Sequence, residues 1–146
     1  MTPSDSAKSI RLVIDSNLEM VFLAGLAVRA LCSSIPLDEQ AVYQVELSVV
    51  EAVNNSIKHA YDCEAGHEVE IVFSLYPDRI TFQVSDFGRE PAQEDQPPFD
   101  FDPDNLDALP ESGMGLFFMK SFMDEVVYRR TGNRNTVTLN KFLQPE

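Results

Sequence analysis

Alternating polar and apolar positions in "SIRLVID" (Ser9 to Asp15) predict a β-strand. Asn17 follows at the place of a helix cap, and an apolar run with helical spacing predicts a helix over 18–33. After a break at "SSIP", the start "LDEQ" opens a second helix over 38–60, in which Val42, Val45, Val49, Val53 and Ala60 form one stripe toward the core. Two β-rich runs, "EVEIVFSLY" and "RITFQVSD", are parted by "PDR" and read as an antiparallel hairpin. "GMGLFFMKSFMD" predicts a third helix starting at glycines, and "EVVYRR" with "NTVTLNKF" a second hairpin around "TGNR". Consecutive hairpins with helices free to cover one face give an α+β two-layer sandwich, its mixed sheet mostly antiparallel, rather than an alternating parallel fold. The 146 residues make one domain's length, so 1–146 is expected to be a single domain.

Composition narrows the function classes. The chain is 44% hydrophobic and 24% charged, as soluble globular domains are. Its net charge of −13 argues against nucleic acid as a partner, because phosphate neutralisation supplies most of that affinity. A basic protein surface or a bound cation fits better. The longest apolar stretch, "MVFLAGLAVRALC", is shorter than the roughly 20 residues a membrane span needs and carries Arg29, so a buried amphipathic helix is expected. Cys32 and Cys63 lack metal spacing and are expected to be buried thiols in a cytoplasmic protein. Residues 1–7 are polar and expected to fray.

The charge is uneven. The segment 87–112 carries five prolines and eight acidic residues against one basic residue, Arg89. Loops beyond about 12–15 residues in compact domains are usually lids or disordered.

Three short stretches could carry chemistry. In "EAVNNSIKHAY", Glu51, Asn55 and His59 stand one turn apart on the side away from the valine stripe. Asparagine is a poor interior helix residue, so a solvated face is not the natural explanation. A neutral amide one turn from a carboxylate suits a hard, mostly hydrated cation such as Mg²⁺, leaving the carboxylate to accept a proton. In "VSDFG", Asp86 ends a strand where it could accept a hydrogen bond from an exocyclic amine, and Gly88 would let a flat ring approach the backbone. An Asp-x-Gly turn that merely closes the strand is the commoner use of this motif. In "SGMGLFF", Gly113 and Gly115 open a helix whose free N–H groups could receive an anion. A flexible hinge and plain core packing remain alternatives there, while the dinucleotide-binding pattern fails for want of its third glycine.

In their order, E-x-x-x-N on a helix, D-x-G at a strand end, a long loop and G-x-G opening a helix, these stretches resemble the Bergerat-type ATP-binding fold shared by DNA gyrase, histidine kinases and MutL. Within that superfamily, "SVVEAVNNSIKHAY" and "SGMGLFFMKSFMDEVVY" are similar to the RsbW-like anti-sigma-factor serine kinases. The resemblance runs from about Arg11 to Leu143. It implies ATP and Mg²⁺ as cofactors, Glu51 as catalytic residue and Asn55 as the magnesium ligand. It also implies a nucleotide site made of Asn55, His59, Asp86, Gly88, Gly113, Met114, Gly115 and Leu116, with 87–112 as an acidic ATP lid. The implied partners are a small STAS-domain anti-anti-sigma protein as kinase substrate, a sigma factor or other client, and a second copy of the chain through the first strand and helix. Many members carry a glycine two residues after Gly88; Glu90 stands here, and "GRE…PPFDFDP" is similar to an expanded form of a shorter run in other members. A non-catalytic nucleotide sensor of the same fold is the competing expectation. A histidine kinase core is disfavoured, since the only histidines are His59 and His67.

Overall fold

A computed structural model describes residues 8–90 and 114–143. The frayed start expected at 1–7, and the acidic lid beyond Glu90, lie outside the described residues. Five strands, β1 (Lys8–Asp15), β2 (Glu68–Leu75), β3 (Arg79–Asp86), β4 (Glu125–Thr131) and β5 (Arg134–Phe142), form one sheet in the order β1-β2-β3-β5-β4. All four pairings are antiparallel, so the parallel component of a mixed sheet is absent among the described residues. Three helices, α1 (Glu19–Cys32), α2 (Glu39–Asn55) and α3 (Met114–Phe122), cover one face. The central helix, α2, touches α1 and α3 on its flanks and β3 and β5 beneath.

The strand alternation explains which face is covered. The row Phe73, Phe82 and Leu139 runs across β2, β3 and β5 under the helices, with the two rings 5.2 Å apart. Val45, Val49 and Val53 of α2 are fully buried above it, as the valine stripe predicts, whereas Val42 and Ala60 at the ends of that stripe are only partly buried. The opposite rows carry hydroxyls and amides that satisfy one another: Ser9 pairs with Ser74 at 3.0 Å, Thr81 with Asn140 at 2.6 Å and Ser85 with Thr136 at 2.9 Å. A face built of such cross-strand pairs can meet water without a second layer.

Local signals place the helix starts. Asp38 caps α2 by accepting the Ala41 N–H at 2.7 Å, and Asn17 accepts the Glu19 N–H at 2.9 Å ahead of α1. The far end of the second helix departs from expectation. From Ser56 to Ala60 the chain winds as a π-helix, closed by Tyr61 N–H to Ser56 O at 3.1 Å, and then turns out through Asp62 and Cys63, both at positive φ.

Two further expectations need correction. Helix α1 buries Val21, Ala24, Gly25, Val28 and Cys32, but its other side leaves Phe22 69% exposed beside exposed Leu23 and Leu26. Its run is apolar all round, and a helix beside an edge strand can bury only the side that meets α2 and the sheet. Cys63 is exposed in the turn, and only Cys32 is a buried thiol.

Burial pushes the Cys32 thiol up to about 12, with Glu46 adding to the effect. A folded pKa above the unfolded one stabilises fully below the ordinary thiol range near ~8.5 and is lost as pH rises through the folded value. Stability should therefore decline as pH is raised above about 9. A thiol reagent at neutral pH should modify Cys63 alone in the folded chain, and Cys32 only after urea is added. Two reactive thiols in the native protein would contradict this packing.

Candidate functional site

The site forms where the second helix ends against the end of β3. In the π-helix the Ala60 carbonyl has no partner along its own axis, and it accepts the Arg89 N–H at 3.0 Å. The contact is close: a Cβ added at Gly88 would lie 2.3 Å from the Ala60 oxygen. Gly88 is thus required by the helix end, and the backbone that approaches it in this structure is that of Ala60. Tyr61 makes the second tie, its hydroxyl accepting the Phe87 N–H at 2.7 Å and donating to Glu68 O at 2.7 Å. Burial holds the Tyr61 phenol above its ordinary range, so it keeps the proton it donates.

This docking brings the polar face of the helix and the strand end into one region. Glu51 and Asn55 sit on α2 at α-helical spacing, both half-buried. His59, expected in the same row, lies within the wider i→i+5 turn and is half-buried. Asp86 is 5% exposed at the end of β3 and accepts the Gly88 N–H at 3.0 Å, the Asp-x-Gly turn anticipated as its simplest use. The same oxygen, Oδ1, accepts Asn135 Nδ2 at 2.7 Å from β5. Asn135, Tyr61 and Ala60 were not singled out as site residues. Tyr61 at least closes the "EAVNNSIKHAY" stretch, whereas Asn135 carries no local signal.

Helix α3 begins at Met114, with Gly115 and Leu116 in its first turn, and packs beside α2. Gly113 lies outside the described residues, and the side chains of Met114 and Leu116 are not described. The helix start expected at the glycines therefore agrees for the part that can be followed, and free N–H groups of a first turn suit phosphate. The donor set fits a nucleotide: a carboxylate for a base amine, backbone N–H groups for phosphates, and a helix amide for a cation. Among the described residues no three His, Cys, Asp or Glu side chains converge on a metal position. A Mg²⁺ shared with phosphate oxygens and water needs no such cluster.

The comparisons with known proteins agree with this geometry. The model of the histidine kinase-like ATPase domain matches residues 14–141. The chain belongs to that family. Serine-protein kinase RsbW from Staphylococcus epidermidis is 32% identical over 144 residues, which is 94% of this chain and 88% of the relative. The Staphylococcus aureus protein of the same name is also 32% identical, with the same coverage. The family membership thus extends to the RsbW serine-protein kinase branch, whose members use ATP. Among solved structures, the RsbU and RsbW domains of a Mycobacterium tuberculosis protein superpose with a TM-score of 0.66 at 14% identity, covering 94% of this chain and 33% of that one. The Acinetobacter baumannii histidine kinase AdeS gives 0.52 at 15% identity over 92% of this chain and 68% of its own. These two likenesses speak for the fold, the α+β sandwich expected from the element order.

Gly88→Ala tests the docking. A methyl group there must displace the helix end, a cost of about 1–3 kcal/mol for overpacking. Urea unfolding should show a lower midpoint, and nucleotide affinity should fall with it. An unchanged midpoint would mean that Ala60 and Gly88 do not meet in solution.

Proposed function

We propose that this RsbW-type serine-protein kinase transfers the γ-phosphoryl group of ATP to a serine or threonine hydroxyl of a small STAS-domain anti-anti-sigma protein. In its other state it would hold a sigma factor or another client through an overlapping surface. The observation that carries the reading is the seam between Ala60 and Gly88, where the helix bearing Glu51 and Asn55 meets the strand end bearing Asp86.

The roles follow from the chemistry of the groups. Asp86 takes the base amine, and the amides of Met114, Gly115 and Leu116 in the first turn of α3, with that of Gly113 before them in the sequence, receive the phosphates. Mg²⁺, held by Asn55 with phosphate oxygens, supplies neutralisation of the charge on the phosphates. Glu51 accepts the proton of the substrate hydroxyl as that oxygen attacks the γ-phosphorus and the bond to the ADP oxygen breaks. The amides facing the transferring group steady the charge that spreads over its oxygens. His59, in the π turn beyond Asn55, is assigned to the nucleotide site without a proton-transfer role.

Partner binding has a separate support. Leu18, Phe22, Leu23 and Leu26 at α1 are exposed together, with Ile10 of β1 exposed on the sheet face that the helices cover. A homodimer through the first strand and helix would cover them. The setting we propose is the cytoplasm, where ATP and sigma factors are found. Among the described residues no helix is long and apolar enough to cross a membrane.

One observation favours a sensor that exchanges partners without phosphoryl transfer. Glu90 stands two residues after Gly88, where many members of the family carry a glycine, and it opens a strongly acidic run in the sequence. Glu51→Gln separates the readings. With a STAS-domain substrate, the variant should lose phosphorylation while its ATP affinity stays within a few fold. A phosphoprotein formed at the wild-type rate would remove Glu51 as base, and none formed by the wild type would leave the sensor.

A further inference from the structure

Nothing in a carboxylate alone decides which of its oxygens faces a ligand; in Asp86 the surroundings decide it. Among the described residues every hydrogen bond to this group falls on Oδ1, from Gly88 N–H at 3.0 Å and Asn135 Nδ2 at 2.7 Å. Asn135 faces Asp86 across the β3–β5 ladder and is itself 4% exposed. Its amide has one workable orientation. Oδ1 of Asn135 accepts the Tyr128 hydroxyl at 2.8 Å and Arg130 Nη1 at 2.7 Å, both from β4. Nδ2 donates to Asp86 and to Arg89 O at 3.0 Å, with Gly88 O at 3.3 Å. A flipped amide would set its NH₂ group against a guanidinium that can only donate, and its carbonyl against a carboxylate and two carbonyls. Burial raises the Tyr128 pKa, so its hydroxyl keeps the proton that it gives to Asn135. Arg130 Nη1 also reaches Gly88 O at 3.2 Å, joining the same hairpin to the chain that leaves β3.

We propose that Asn135, locked by Tyr128 and Arg130, is a positioning residue for nucleotide recognition: it saturates Oδ1 of Asp86 and so presents Oδ2 to the amine of the base. The inference rests on the reading of Asp86 as the base-binding carboxylate. With Asn135 in place, the carboxylate cannot turn without giving up a donor in a buried setting, where a lost partner is costly. Without it, the group is free to rotate and to meet water instead of the amine. The C-terminal hairpin, which carries none of the three sequence motifs, thereby sets the selectivity of the pocket.

The test compares ATP with the triphosphate of purine riboside, which lacks the 6-amine. Both are titrated calorimetrically, with Mg²⁺, into the full-length wild type, Asn135→Ala and Tyr128→Phe. The wild type should prefer ATP. Asn135→Ala should lose roughly tenfold in ATP affinity, as loss of a hydrogen bond to a charged group implies, and little for the analogue. Tyr128→Phe should move the same ratio less far, and it decides the matter if Asn135→Ala fails to fold. Equal weakening of both nucleotides, or an unchanged ratio, would reduce Asn135 to a structural role and overturn the inference. A wild type that binds neither nucleotide, or binds both equally, would remove the reading of Asp86 itself, a failure distinct from the first.

Discussion

A helix carbonyl that is denied its own partner must find another, and here the unsatisfied carbonyl of Ala60 holds the site together. The π-helix ends the second helix with that oxygen turned outward, and the Arg89 N–H takes it. Only glycine at position 88 allows the two backbones so close. The hydrogen bond therefore fixes where the polar face of α2 stands relative to Asp86, and it does so with main-chain atoms. Tyr61 repeats the tie one residue on, holding Phe87 with one side of its hydroxyl and the start of β2 with the other. Two short contacts, Ala60 with Arg89 and Tyr61 with Phe87, thus join two chemistry-bearing segments that the β2–β3 hairpin separates in sequence.

Around this seam the sheet divides its labour. Its covered face gives the site a rigid floor, with Phe82 and Leu139 fully buried beneath α2. Its open face settles its hydrogen bonds among serines, threonines and asparagine and needs no further layer. Exposed apolar side chains lie on α1, where Phe22, Leu23 and Leu26 follow one another closely, and also on α2 and at the β4–β5 edge, where Tyr43, Val127, Tyr128 and Phe142 are open.

Much of this was legible in the sequence, for identifiable reasons. The strands and the valine stripe follow from periodicity, and Glu51, Asn55, Asp86 and the α3 start stand out as candidates because each breaks a local rule in a set order. What stayed hidden depends on contacts between distant segments. "SIKHA" has the composition of an ordinary helix turn; the partner for Ala60 and the two positive-φ residues after it go with the π winding. Asn135 has no meaning until the β3–β5 register sets it opposite Asp86. Phe22 reads as core in an apolar run, because the sequence does not say that α1 lies at the edge of the layer. Gly88 stands out in the sequence as a place of close approach, and the helix end at Ala60 is one group that uses it.

The measurement that bears most directly on the account is calorimetric titration of the purified chain with ATP, with and without Mg²⁺, alongside Asp86→Asn. The account predicts saturable binding of one nucleotide per chain, stronger with Mg²⁺ and lost in the variant. No binding at millimolar ATP, or binding that Asp86→Asn leaves intact, would contradict the assignment of this seam as a nucleotide site.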